Sequence, residues 1–158
     1  MPVSPRRDAR DLQLYGPRLK IKIGHPLIGP PNKFRFTTAD ALIDTGAQRT
    51  ILAPEAVEKL GLSKIDETTL IRVGGEAKAD VYAASLQFPY TGFSTIEMIA
   101  VPCCELPHPL FRCLIGRDVL SRWILTYDGP VGSWELTEET GAPWVAPPEG
   151  FDPGLWGE

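Results

Sequence analysis

The sequence predicts a mainly β fold, a small closed antiparallel barrel with one or two short helices. Many short runs alternate apolar and polar residues with the two-residue period of a half-buried strand. The 15 glycines and 16 prolines fall largely between these runs, where turns are expected. Only two short segments have a helical pattern, and 158 residues with 43% hydrophobic content suit one domain.

The chain divides into three parts by composition. Residues 1–17 mix charge with prolines and have no sustained period, which predicts an N-terminal arm. Residues 18–136 carry the strand and helix patterns and form the predicted domain. Residues 137–158 are rich in proline, glycine and acid, with scattered tryptophans that predict an anchored tail.

The first strands form a hairpin. Leucine and isoleucine alternate with lysine over 19–23, turn formers fill 25–32, and an extended pattern resumes over 34–43. The second strand of this hairpin therefore ends directly at Asp44.

Two short helices are expected. Pro54 stands at the start of the first and Gly61 just past its end. The second follows Gly116, with Val119 and Trp123 on one face.

Further hairpins complete the predicted domain. Strand-like runs over 68–73 and 79–88 flank Gly74 and Gly75, which predicts a projecting, mobile β-ribbon. Additional strands are predicted at 96–102, 114–115, 124–127 and 133–136.

Charge and hydropathy exclude several functions. The formal net charge of −4 gives no basic footprint for nucleic acid. No stretch approaches the length of a membrane span, and no apolar segment follows the charged N-terminus. We therefore expect a cytoplasmic protein that binds neither nucleic acid nor membrane.

Asp44 is the strongest candidate for chemistry. It follows an apolar strand and opens the turn Asp44-Thr45-Gly46. Thr45 can hydrogen-bond the turn, and Gly46 lets backbone N–H groups approach the carboxylate. The alternative is a structural Asx-turn, because so short a motif also arises by chance.

Three ordered motifs strengthen the chemical interpretation. The chain carries three retropepsin motifs in the family's order. Residues 42–47 match the active-site turn, residues 73–76 match the flap, and residues 114–118 match the apolar-apolar-Gly-Arg helix start. Over about 18–136 the chain therefore resembles the retroviral-type aspartic proteases. The resemblance implies a retropepsin fold, an aspartic endopeptidase activity with Asp44 as catalytic carboxylate, and neither cofactor nor metal.

The resemblance also assigns roles by position. Thr45 and Gly46 would form the active-site turn, with Thr45 locking two subunits together. The implied substrate-binding residues are Ala47, Gln48, Val73, Gly74, Gly75 and Glu76. The implied supporting helix begins with Gly116, Arg117 and Asp118. Alternatively, Gly74 and Gly75 could form an ordinary hairpin turn, and Arg117 and Asp118 could be plain exposed helix residues.

The chemistry requires a second chain. Two carboxylates about 3 Å apart share one proton, so that the pair can act as base and acid together. This sequence has only one Asp-Thr-Gly motif. We therefore expect a homodimer acting on a peptide or protein substrate, with Asp44 contributed by each subunit.

The motif departs from the retroviral pattern after Ala47. Gln48 and Arg49 replace the acid that commonly pairs with the helix arginine, so Arg117 loses its expected partner. A Gln here is similar to the retropepsin domains of DNA-damage-inducible ubiquitin-shuttle proteins and of stand-alone bacterial proteins. Two alternatives stay open: a catalytically silent peptide-binding or dimerisation module, and an enzyme kept latent by its arm or tail.

The cysteines predict neither disulfides nor a metal site. Cys103, Cys104 and Cys113 are odd in number and two are adjacent, which suits no disulfide framework. The paired spacing of structural zinc sites is absent, and prolines flank His108. We expect reduced, partly buried thiols.

Overall fold

The computed structural model describes residues 8–26, 35–89 and 91–138. It is mainly β, as predicted. The strands are β1 (Arg18–Gly24), β2 (Phe36–Ile43), β3 (Ile51–Leu52), β4 (Lys64–Arg72), β5 (Gly75–Gln87), β6 (Ile96–Cys103), β7 (Phe111–Ile115), β8 (Trp123–Asp128) and β9 (Ser133–Glu138). The helices are α1 (Ala9–Tyr15), α2 (Pro54–Leu60) and α3 (Arg117–Leu120). The turn-rich segment 27–34 and the predicted tail from residue 139 onward lie outside the described residues.

Seven strands form the main sheet, in the order β1-β2-β7-β3-β6-β5-β4. Strand β1 also pairs with β5, so pairing continues around β1, β2, β7, β3, β6 and β5. Most strand pairs are antiparallel, as predicted. In addition, β2 runs parallel to β7 and β3 parallel to β6. These pairs join distant segments, such as Ile43 with Ile115, which local periodicity does not reveal.

The core combines buried side chains from most of the strands and from all three described helices. The predicted alternation of β1 is confirmed, since Leu19, Ile21 and Ile23 are all buried. Leu52 of β3 and Ile115 of β7 are fully buried as well. Each such side chain contributes about 1.5–3 kcal/mol of hydrophobic stabilisation, which anchors the strands that lead to Asp44.

Helix α2 confirms its sequence prediction. Pro54 opens the helix, and Gly61 ends it in the left-handed conformation with φ 59°. Glycine adopts this conformation without steric cost, which is why it marks helix ends.

Helix α1 was not predicted, and it brings the number of helices in the described segments to three, where one or two were expected. Asp8 caps its N-terminus by accepting hydrogen bonds from the Arg10 and Asp11 N–H groups. Its backbone packs so closely on Gly132 that a Cβ there would lie 2.0 Å from the Ala9 nitrogen. Only Leu12 of the helix is buried, so the sequence carries no helical periodicity.

The predicted second helix is shorter than its pattern suggested. Helix α3 ends at Leu120, and Trp123 begins β8 instead of sharing the helical face. Trp123 is drawn into an aromatic cluster, with ring centroids 4.8 Å from Phe88 and 5.1 Å from Phe93. The closing hairpin, β8 with β9, is confirmed.

Among the described residues, no helix has both the length and the apolar character needed to cross a membrane.

Candidate active site

Asp44 stands where the parallel strands β2 and β7 end side by side. Its backbone N–H donates to the Ile115 carbonyl at 2.9 Å, which continues the pairing one residue beyond the strand. Its carboxylate Oδ1 accepts a hydrogen bond from the Gly46 N–H at 2.8 Å. The half-buried carboxylate is therefore fixed in direction by the turn that follows it.

Gly116 lets the start of α3 lie directly against this turn. A Cβ at Gly116 would lie 2.5 Å from the Arg49 carbonyl carbon and 3.0 Å from the Ala47 oxygen. The next residue, Arg117, donates its backbone N–H to the same Ala47 oxygen at 2.8 Å. Because backbone cannot move aside as a side chain can, only glycine fits this contact.

Arg117 holds the turn through a backbone oxygen, and none of the ion pairs among the described residues includes it. Its Nη1 donates to the Thr45 carbonyl oxygen at 2.7 Å, although both residues are exposed. The Thr45 carbonyl oxygen thus accepts a hydrogen bond from the guanidinium. The carboxylate partner expected from the retroviral pattern is missing because residue 48 is Gln. This contact gives Arg117 a positioning role that the sequence left open.

Thr50 joins the turn to α3 and was missed by sequence analysis. The fully buried Thr50 donates its Oγ1 hydrogen to Asp118 Oδ1 at 2.7 Å and accepts the Gly116 N–H at 3.1 Å. Its own N–H lies 3.0 Å from both Asp118 carboxylate oxygens. The available signal was a threonine directly before the apolar run that begins at Ile51. Its partners, however, lie 66 and 68 residues away.

A cavity of about 620 Å³ opens beside Asp44. Of the predicted site residues, Gly46, Ala47, Gln48, Val73 and Arg117 line it together with Asp44. Within this chain the cavity wall does not include Thr45, Gly74, Gly75, Glu76, Gly116 or Asp118. Residues that the sequence analysis did not assign to the site also line it: Arg49, Ile51, Thr69, Leu70, Ile71, Arg72, Cys104, Glu105, Leu106, Pro107 and Leu114.

The β4–β5 hairpin forms one wall of this cavity, as a flap would. It turns at Val73 and Gly74, and Gly74 and Gly75 have φ angles of 100° and 123°. Val73 at the tip is fully exposed and also lines the cavity. Arg72 Nη2 donates to the Glu105 carbonyl at 3.1 Å, which ties the hairpin to the segment 104–107.

The three cysteines are free, and Cys113 is buried. Burial raises the pKa of Cys103 to about 11 and raises the pKa of Cys104, so both thiols stay protonated at neutral pH. Over the described ranges, no three histidine, cysteine or acidic side chains are grouped to hold a metal ion.

Comparison with known proteins places this geometry in a family. A model of the aspartyl protease family matches residues 33–119, more than half of the chain. A search of curated proteins found no match to this chain. A solved retropepsin-like aspartic protease from Rickettsia conorii is 19% identical, with a TM-score of 0.52 over 86% of this chain and 89% of that one.

Two further solved structures overlap less well. The EIAV protease complexed with the inhibitor HBY-793 is 18% identical over 66% of this chain and 85% of that one, with a TM-score of 0.47. The retroviral protease-like domain of Ddi1 from Leishmania major is 17% identical over 77% and 88%, with a TM-score of 0.42. The family model shows that the chain belongs to the aspartyl protease family, and the likeness to the Rickettsia structure shows that its fold is retropepsin-like.

Proposed function

We propose that this protein is an aspartic endopeptidase that acts as a homodimer, with one Asp44 carboxylate from each subunit. The observation that carries the proposal is the Asp44 turn: a half-buried carboxylate, fixed by the Gly46 N–H at 2.8 Å, beside a cavity of about 620 Å³. The family membership supports a protease. The single Asp-Thr-Gly motif supports a site shared by two chains.

The proposed chemistry needs only the carboxylate pair and water. Two carboxylates about 3 Å apart hold one proton between them, because both cannot be ionised. The ionised member removes a proton from water as the water attacks the peptide carbonyl, and the protonated member donates to the carbonyl oxygen. The intermediate, a gem-diol, is not bonded to the protein. As it collapses, the carboxyl that took the proton from water gives it to the leaving nitrogen, the other carboxylate takes a hydroxyl proton, and the C–N bond breaks.

The surrounding residues would hold the substrate and the carboxylates. Thr45 and Gly46 would meet their counterparts at the two-fold axis, since both are exposed in the single chain. Ala47, Gln48 and Val73 line the cavity and would contact an extended peptide. Gly74, Gly75 and Glu76 would contact it only when the flap closes.

Replacing Asp44 tests the proposal. The Asp44→Asn protein should remain folded and lose at least about 10³-fold of its cleavage rate, because the base is lost without a change of shape. Digestion of a peptide library by the purified full chain, analysed by mass spectrometry, measures this. The matched control is Asp40→Asn, which changes a carboxylate on β2 that pairs with Lys20 at 3.2 Å.

Two results would contradict the proposal. Equal cleavage by the native and Asp44→Asn proteins would show that another group performs the reaction. Peptide binding without cleavage by the native protein would instead identify a silent peptide-binding module.

A further inference from the structure

The cavity beside Asp44 is positively charged in an acidic chain. Three arginines line it, Arg49, Arg72 and Arg117, against two acids, Asp44 and Glu105. The chain as a whole has a formal net charge of −4. The charge of the cavity wall is therefore opposite in sign to that of the molecule, which favours an anionic partner.

Arg49 and Arg72 have no carboxylate partner in the part of the chain that the structure describes. The half-buried Arg49 donates through Nη2 to the Ala100 carbonyl at 3.3 Å, and Arg72 donates through Nη2 to the Glu105 carbonyl at 3.1 Å. The ion pairs observed there involve other residues. A guanidinium carries five N–H donors and a permanent charge, so both arginines keep donors for a ligand.

Arg117 has a different role. Its guanidinium donates a hydrogen bond to the Thr45 carbonyl oxygen at 2.7 Å, and its backbone N–H donates to the Ala47 carbonyl oxygen at 2.8 Å. It holds the turn that orients Asp44, so substrate recognition falls to the other two arginines.

The rest of the wall is largely apolar. Ile51, Leu70, Leu106 and Leu114 all line the cavity. A ligand that fills the cavity must therefore combine apolar side chains with negative charge. An extended peptide offers both, because its successive side chains point in opposite directions.

Resting on the proposed function, we propose that the substrates are acidic peptides. Glutamate or aspartate, close to an apolar residue at the cleaved bond, is bound by Arg49 or Arg72. The planar guanidinium suits a carboxylate because two parallel N–H groups can donate to its two oxygens. Arg49 follows the Asp44 turn and Arg72 ends β4, so the two arginines reach the peptide from different parts of the fold.

The test compares peptides that differ by one charge. Each position around the cleaved bond of one peptide carries Glu, Gln or Lys in turn, and kcat/KM is measured with the full native chain. At one or more positions Glu should exceed Gln by about three- to tenfold, and Lys should be the poorest. The Glu preference should shrink as salt rises from about 0.05 to 0.5 M, because salt screens exposed charges.

Variants assign the preference to residues. Arg49→Gln or Arg72→Gln should bring the Glu-to-Gln ratio toward one, whereas Arg122→Gln, an exposed arginine outside the cavity, should leave it unchanged. Equal rates for Glu and Gln peptides with the native protein would overturn the inference, whatever the variants do. A ratio that survives in both Arg49→Gln and Arg72→Gln would overturn the assignment to these residues.

Binding separates this inference from the proposed function. The same Glu and Gln peptides are titrated into the Asp44→Asn protein and followed by fluorescence anisotropy. Tighter binding of the Glu peptides, with no cleavage by the native protein, would support the acidic preference and refute the protease. Cleavage without any charge preference would do the reverse, and absence of both binding and cleavage would overturn both.

Discussion

At the scale of single residues, Asp44 is positioned by two hydrogen bonds, one to the turn that follows it and one to the end of β7. The Gly46 N–H binds its carboxylate and the Ile115 carbonyl accepts its backbone N–H. The first contact can be predicted from the motif, because a glycine at position 46 lets its backbone N–H approach the Asp44 carboxylate closely. The second could not be predicted locally, because residue 115 lies 71 positions away in the sequence.

Thr50 should be essential for the arrangement around Gly116. Thr50→Val keeps the shape but removes the hydroxyl that binds Asp118 and the Gly116 N–H, so a buried donor loses its partner. The free energy of unfolding should fall by about 1–3 kcal/mol in urea denaturation. Thr50→Ser, which keeps the hydroxyl, should lose much less. Equal stability of the valine and native proteins would refute this role.

The buried thiol of Cys113 should make stability depend on alkaline pH. Burial raises the pKa of Cys113 above its ordinary value of 9.0, so the folded chain keeps a proton that the unfolded chain releases. Stability is therefore intact below about pH 9 and falls as pH rises, by up to about 1.4 kcal/mol per pH unit.

Urea unfolding between about pH 8 and 10.5 measures this effect. The Cys113→Ala protein should be less stable at neutral pH but should lose less stability over that interval, since alanine does not titrate. If both proteins lose stability in parallel, the thiol is not responsible.

At the scale of elements, the sequence predicts local structure well and long-range pairing poorly. Pro54 and Gly61 mark both ends of α2, and glycines mark the β4–β5 turn. Helix α1 escapes prediction because its contact with Gly132 exists only in the folded chain. The same reason hides the parallel β2–β7 pair, which sets Asp44 beside Gly116.

The β4–β5 hairpin gives an element-scale prediction. Gly74 has φ 100°, which an alanine adopts only with strain of about 1–2 kcal/mol, although no atom lies within 4 Å of an added Cβ. Gly74→Ala should therefore distort the tip and lower kcat/KM by about three- to tenfold.

The control for the hairpin is Gly92→Ala. Gly92 has φ 74°, also with open space around it, and lies outside the cavity wall. The same kind of strain should leave peptide cleavage near the native rate there. Equal losses in both variants would show that the hairpin does not act as a flap.

At the scale of the whole molecule, the proposed active site belongs to two chains. The cavity of one chain contains one turn carboxylate, and the proposed reaction needs two. In a symmetric dimer Arg49 and Arg72 would also appear twice, which would extend the positive wall along the peptide. Fold and catalytic candidate follow from sequence motifs, whereas the charge of the cavity emerges only when distant arginines are brought together.

Mixing native chains with Asp44→Asn chains tests the shared site most directly. The two proteins are unfolded and refolded together at a fixed total concentration, so that pairs form at random, and cleavage of one peptide is measured against the native fraction. If each site needs two Asp44 carboxylates, activity falls with the square of that fraction, to about a quarter in an equal mixture. A linear fall, to about half, would show that each Asp44 acts independently, and a fall to only about three quarters would show that one carboxylate per dimer suffices. Either result would contradict the shared dyad.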